Sequence, residues 1–287
     1  MLKVPVLAIL SGKKKTGKTM VAETLTSKLV KSGLKVAAAK HIAESRFTLD
    51  APGTDTHRLA EAGAQQVVAV TSDEVVNILK TDTSGLNLEA LIESFKPTDL
   101  IVLEGFKSLV LQREDVVKII VSDDAAEVFN LLNTARRPIA AITGEVAVGD
   151  NSTLEETGIP LVRFPEETAR LTKLVFEHYQ AQRALIETRV SLGGLNCGDC
   201  GYETCYEHAK AILAVRSSLD KCMVIRAGEE VTVTINGVKL PMKGFVQDII
   251  KRAVLGMVSS LQKTDIHGDE RLNITITRPT VQASPNE

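Results

Sequence analysis

The sequence predicts an α/β fold: a mainly parallel sheet with helices on both faces, then a small cysteine-rich region and a C-terminal α+β unit. Three observations carry this expectation. Short continuous apolar runs alternate with helix-spaced segments as far as Phe164, as buried parallel strands and their crossover helices do. A glycine-lysine loop follows the first of those runs. Three of the four cysteines lie between Asn196 and Cys205, where the alternation has stopped.

Taken in order, Val4 to Leu10 is an unbroken apolar run and reads as a buried strand. Val21, Leu25 and Leu29 recur at helical spacing, and Gly33 ends that helix. Lys35 to Lys40 is the next strand, and a helix over "DTHRLAEAG" precedes a strand at Gln66 to Thr71. Asp99 to Gly105, Val116 to Ser122, Pro138 to Gly144 and Ile159 to Phe164 complete the series. One helix is expected from about Glu166 to Thr188, after which the composition turns to glycine and cysteine. Beyond Cys222, Val231 to Leu240 alternates on both sides of Asn236-Gly237, the strongest short hairpin signal. A helix over Gly244 to Gln262 follows, and "RLNITITRP" from Arg271 alternates again and is expected to pair with the hairpin. The expected domains are 1–188, 189–226 and 227–287.

Bulk composition narrows the classes. The chain has 287 residues, 44% hydrophobic and 24% charged, which suits about two globular domains. A formal net charge of −2 gives no basic excess for nucleic acid or anionic membrane. Aromatic residues are only 3%, without Trp, which argues against a base-stacking surface. No apolar run approaches the roughly 20 residues that cross a bilayer. "MLKVPVLAIL" runs into the loop without a signal-peptide cleavage pattern. A cytoplasmic protein with no nucleic-acid or membrane partner is expected.

Gly12-Lys13-Lys14-Lys15-Thr16-Gly17-Lys18-Thr19 satisfies G-x-x-x-x-G-K-[ST], after a strand and before a helix. That is a P-loop: its backbone N–H groups and the helix N-terminus surround phosphate oxygens. Lys18 is expected to reach the β- and γ-phosphates, and the Thr19 hydroxyl to ligate Mg²⁺. Glu104, at the end of "DLIVLEG", is the candidate acid for Mg²⁺ or for the attacking water, and Asp50 is a second candidate for the metal. The plainer alternatives are a solvated basic loop and an ordinary strand-end carboxylate. Lys13 stands where one class of dimeric P-loop ATPases places a lysine that reaches across to a partner's nucleotide, but that class has glycines where this chain has Lys14 and Lys15.

The first 165 or so residues resemble the MobB family of molybdopterin guanine dinucleotide biosynthesis. The likeness lies in Lys40-His41, Phe47 to Asp50, Pro52 to Thr56, Ala62 to Ala64 and Glu104 to Lys107, in that order around the P-loop. It implies a GTP-binding accessory protein with weak GTPase activity that works beside the molybdopterin guanylyltransferase and the maturation of molybdoenzymes. Separately, a homodimer is expected, and the C-terminal hairpin-helix-strand unit reads as a docking or dimerisation module. No Asn-Lys-x-Asp motif is present, so guanine preference is implied by the resemblance alone. Members carry further histidines where this chain reads "HIAES"; His41 and His57 read equally well as surface residues.

The cysteines are spaced Cys197-x₂-Cys200-x₄-Cys205-x₁₆-Cys222. Four thiolates suit zinc or an iron–sulfur cluster. Zinc generally takes two separated knuckles, whereas three cysteines in one tight loop and one remote cysteine suit the corners of a cubane. Leu192 to Cys222 also resembles the four-cysteine 4Fe–4S domain of the Rnf-complex B subunit and of corrinoid iron–sulfur proteins, with all four ligand positions filled. His208, one helical turn beyond Cys205, reads as a helix residue. Two rival functions remain at this level: a dimeric ATP-dependent metal or cluster carrier, and a redox-sensing scaffold in which nucleotide is a structural ligand.

Overall fold

The computed structural model describes residues 2–44, 47–148, 152–228, 230–261 and 271–274. By its contacts the chain divides into two compact units, Met1–Thr188 and Arg189–Glu287.

In the first unit the elements run β1 (Val6–Leu10), α1 (Lys18–Lys31), β2 (Val36–Lys40), α2 (Asp55–Glu61), β3 (Gln66–Val70), β4 (Val75–Leu79), α3 (Leu88–Glu93), β5 (Leu100–Glu104), α4 (Lys107–Val110), β6 (Val117–Val121), α5 (Ala125–Leu132), β7 (Ile139–Thr143), α6 (Ser152–Glu155), β8 (Leu161–Val162) and α7 (Thr168–Val190). Six strands form one sheet in the order β2-β5-β1-β6-β7-β8, parallel throughout. The central strands β1, β6 and β7 are buried along their whole length. Both faces are covered, which is why those strands read as unbroken apolar runs.

On one face Val21, Leu25 and Leu29 of α1 and Leu171, Val175 and Tyr179 of α7 pack on Leu7, Ile9, Leu100, Val102, Ile119 and Val121. On the other, Leu88 and Val110 meet Val6, Ala8, Leu10, Ile101 and Leu103. Val128, Leu131 and Leu154 meet Ile120, Ile139 and Ile142. Each fully buried Leu or Ile contributes roughly 1.5–3 kcal/mol by leaving water. Leu25→Ala would therefore cost about 2–5 kcal/mol with its cavity.

Gln66 to Thr71 departs from expectation. It is a strand, but it pairs antiparallel with β4 in a separate two-stranded sheet. The turn between them is closed locally: Thr71 N donates to Glu74 O at 2.9 Å and Glu74 N to Thr71 Oγ1 at 2.9 Å. A hairpin needs no crossover, and β4 supplies a nearer partner than the sheet. One face of this hairpin leaves Val68, Val70, Val75 and Leu79 exposed.

Lys118 is fully buried in β6. Its ammonium donates to Arg113 O at 2.5 Å, Val116 O at 2.9 Å and Arg136 O at 2.7 Å. Three carbonyls thereby satisfy all three of its protons.

The second unit contains α8 (Cys205–Leu213), α9 (Met223–Arg226), β9 (Thr234–Ile235), β10 (Val238–Lys239) and α10 (Gly244–Ser259). β9 and β10 pair antiparallel around Asn236 and Gly237, at φ 51° and 78°. Two positive φ values are what a type I′ turn requires. Arg271 to Ile274 carry no regular secondary structure; the remainder of the "RLNITITRP" run lies outside the described residues. No helix among those described is long and apolar enough to cross a membrane.

Candidate functional site

The G-x-x-x-x-G-K-T loop lies at the carboxyl end of β1 and runs into the start of α1. Gly17 caps α1 at φ 87°, a left-handed conformation that favours glycine. Lys18 opens the helix and folds back over the loop: its Nζ donates to Ser11 Oγ at 2.6 Å, Lys13 O at 2.9 Å and Thr16 Oγ1 at 3.4 Å. Burial pulls its ammonium below the usual lysine range, with Glu104 and Glu127 opposing and Lys107 and Lys40 adding to the fall.

Glu127, which the sequence reading did not single out, organises the start of the loop. It sits buried in the first turn of α5. One carboxylate oxygen accepts from the backbone N–H of Gly12 and, at 2.9 Å, of Lys13; the other accepts from Ser122 Oγ at 2.8 Å. A Cβ at Gly12 would collide with this carboxylate. The available signal was Asp124-x-x-Glu127 just after a strand, a helix-start pattern. Asp124 does cap α5, accepting from Ala126 N at 2.9 Å, but Glu127 turns to the phosphate loop.

The lysines of the loop diverge. Lys13 pairs within its own chain, with Asp124 at 3.2 Å and Asp123 at 3.6 Å, and the hydrogen bond to Asp124 holds its ammonium above the usual range. Lys14 pairs with Glu44 at 2.9 Å. Lys15 takes a positive φ of 62°.

Thr19 and Glu104 come together: Thr19 Oγ1 donates to Glu104 Oε1 at 2.8 Å. Lys40, a register partner of Glu104 across β2 and β5, bridges them, 3.0 Å from each oxygen. The ammonium thus sits where a cation between a hydroxyl and a carboxylate would sit, and both are hard oxygen donors of the kind Mg²⁺ takes. Asp50 is engaged in its own turn. Its Oδ1 accepts from Thr54 Oγ1 at 2.8 Å and Thr56 Oγ1 at 3.0 Å, while its Oδ2 is shielded from solvent without a partner. The Thr54 hydrogen bond, with that of Thr56, holds the carboxyl below the usual range. His41 packs edge-on to Phe106, centroids 5.5 Å apart. His57 joins the Thr54 cap of α2 through its backbone N–H.

In the second unit the four cysteines line one pocket that is partly open to solvent. All four are free thiols, with Cys222 buried and the others half-buried. Local signals place them. A reciprocal capping box between Thr204 and Glu207 starts α8 at Cys205. Asn196 Oδ1 accepts from Cys205 N at 2.8 Å, tying the loop of Cys197 to that helix start. Cys222 is the N-cap residue of α9. Gly198 and Gly201 take φ of 78° and 86°, which keeps the loop tight.

His208 is buried, its Nε2 3.0 Å from Ser217 Oγ and 3.2 Å from Ser218 O. Its ring stacks on Tyr202 at 4.8 Å, and both rings line the pocket. Four thiols lining one pocket with Gly193 and Gly198 fit an iron–sulfur cluster, which Cys197, Cys200, Cys205 and Cys222 would hold.

A six-stranded parallel sheet with a complete G-x-x-x-x-G-K-T loop at the end of a central strand, followed by a four-cysteine region, defines a P-loop α/β protein with an iron–sulfur-type appendage. Residues 6–143 match the family model of Molybdopterin guanine dinucleotide synthesis protein B, MobB. Residues 192–224 match a model described as "Putative Fe-S cluster". The chain belongs to the MobB family.

A similar protein over nearly the whole chain is the "Putative molybdopterin-guanine dinucleotide biosynthesis adapter protein" of Methanocaldococcus jannaschii. It is 26% identical over 93% of this chain and 96% of its own. The molybdopterin-guanine dinucleotide biosynthesis adapter protein of Haemophilus influenzae is 31% identical over 40% of this chain and 67% of its own. Among solved structures, Bacillus subtilis MobB is 21% identical, with 60% of this chain and 96% of that one covered and a TM-score of 0.46. A MobB homolog from Bacillus stearothermophilus is 16% identical, with 63% and 99% covered and a TM-score of 0.42.

Proposed function

We propose that this chain is an adapter protein of molybdopterin-guanine dinucleotide biosynthesis that binds GTP with Mg²⁺ and carries a 4Fe–4S cluster. The observation that carries the nucleotide half is the built P-loop: Lys18 folded over the loop, Glu127 holding its first two amides, and Thr19 paired with Glu104. Gly12 to Thr19 take the phosphates. Thr19 and Glu104 hold Mg²⁺ once Lys40 yields the place between them, and the unpartnered oxygen of Asp50 offers a further carboxylate. When bound, Mg²⁺ neutralises charge on the β- and γ-phosphates. Lys18 orients the same oxygens, and Glu104 positions the attacking water for slow hydrolysis.

Likeness to the two adapter proteins supports the pathway. It makes the molybdopterin guanylyltransferase and the molybdoenzymes it serves the expected partners, in the cytoplasm. A homodimer suits the exposed apolar face of the β3–β4 hairpin. The in-chain pairing of Lys13 with Asp123 and Asp124 supports the adapter over the ATP-dependent carrier, whose loop lysine must reach a partner's nucleotide. Residues 1–188 form the nucleotide-binding domain, 189–226 the cluster domain and 227–287 a C-terminal unit. For the cluster, the four thiols that line one pocket, three of them in a single tight loop, support a cubane over zinc.

Titration of anaerobically purified protein with fluorescent GTP and ATP analogues tests the reading. Tighter, Mg²⁺-dependent binding of GTP supports it; equal or reversed preference returns the carrier to first place.

A further inference from the structure

The C-terminal helix α10 begins against the cysteine site. Lys243, its N-cap residue, places Nζ 2.6 Å from Oδ2 of Asp199. Asp199 is the residue between Cys200 and the Cys197-Gly198 pair. The ion pair is only partly exposed. Lys243 is held above the usual lysine range chiefly by Asp199, and Cys197 adds to the same effect.

The next helical turn is fixed as firmly. Gln247 is buried; its Oε1 accepts from Glu230 N and Val231 N at 3.1 Å each, and its Nε2 donates to Gly228 O at 3.0 Å. A Cβ at Gly244 would stand 3.2 Å from that of Ala227, just past α9, and α9 is the helix that Cys222 opens. The start of α10 is thus braced against both parts of the site: the loop of Cys197 and Cys200, and the segment of Cys222. An uncapped helix N-terminus and an ammonium both bring positive charge to one side of the site.

We propose that Lys243 is a positioning residue of the cluster, setting its reduction potential by holding positive charge against the Cys197–Cys200 loop. The proposal rests on the cluster reading above. One electron entering the cluster adds one negative charge, and a fixed cation beside it stabilises the reduced form and raises the potential. The ion pair with Asp199 restrains this cation and partly cancels it, so the two residues act in opposite directions.

The test is a mediated redox titration of anaerobically purified protein with a low-potential chemical reductant, followed by electron paramagnetic resonance, with iron and sulfide measured on every sample. Lys243→Gln is expected to lower the potential by about 59 mV, the equivalent of a tenfold change in the reduced-to-oxidised ratio for a one-electron couple. Lys243→Arg is expected to restore it, and Asp199→Asn to raise it. Should Lys243→Gln lose iron, Asp199→Asn is compared with Asp199→Asn/Lys243→Gln, which isolates the lysine charge without its partner. A lower potential in the double variant supports the proposal. Equal potentials, or a Lys243→Gln protein with full iron and an unmoved potential, overturn it. Wild-type protein without iron would instead sink the cluster reading, and iron content separates the two failures.

Discussion

The two units hold their sites by opposite means. Around the phosphate loop, three apolar clusters fill both faces of a six-stranded sheet, and the loop is a rim feature of that core. In the second unit, the buried apolar side chains among the described residues are Leu192, Ala209, Ala211 and Cys222. Its order comes from caps, single hydrogen bonds and one clamped glutamine. A region with so small a core needs a staple such as a metal. From this contrast we expect the first site to be made ready by folding, and folding of the second to be completed by a bound group.

The largest expected effect breaks or sustains this contrast directly. Cys205→Ser, or iron removal by a chelator, should abolish hydrogen-exchange protection in α8 while leaving β1, β5 and β6 unchanged. Protected α8 amides in iron-free protein would show that the second unit is as self-sufficient as the first. Next come two changes at the phosphate loop. Glu127→Ala strands the N–H groups of Gly12 and Lys13 away from an acceptor. Both residues are exposed, so water can take over, and the change should cost about 1–3 kcal/mol in urea unfolding, at roughly 0.5–1.5 kcal/mol per hydrogen bond lost. Lys18→Ala should leave stability nearly unchanged and weaken nucleotide binding about a hundredfold, the loss of two charge-assisted bonds at roughly 1.5 kcal/mol each; calorimetric titration reads it. Unaltered affinity in a folded variant removes the phosphate role from the loop.

Glu104→Gln is milder. Nucleotide should still bind, but hydrolysis should slow about tenfold and require more Mg²⁺, as a rate series across Mg²⁺ concentration would reveal. The smallest effect is a slope. Burial lowers the Lys118 ammonium to about 8, against the opposing charges of Asp115 and Glu114. The unfolded chain keeps a proton that the folded lysine releases above that value, so stability gains from this residue as pH rises from about 8 toward the free-lysine range near 10.4. Urea midpoints across that window should rise relative to Lys118→Met; parallel curves would deny the linkage.

Much of this was readable in advance, for identifiable reasons. Buried parallel strands announce themselves as apolar runs, so β1, β5, β6 and β7 were legible. Gln66 to Val70 has the same look, yet it pairs with Val75 to Leu79, because composition does not name a strand's partner. The phosphate loop and the cysteine spacing were legible because each is local in sequence. Lys40 beside Glu104, Glu127 under Gly12 and Lys243 on Asp199 were not. Each joins residues far apart in the chain, and a long-range ion pair leaves no periodic trace. Asn236-Gly237 foretold its turn because two positive φ values restrict the residues that fit.

The buried ammonium of Lys118 has one more consequence. Its three carbonyl partners come from the chain on either side of β6, so the amine becomes accessible only when that part of the sheet opens. Surface lysines will acylate as soon as an amine-reactive reagent is added; Lys118 must wait for its molecule to come apart. The mass tag on this single side chain therefore keeps time, counting the opening events of the sheet in a population that is otherwise folded.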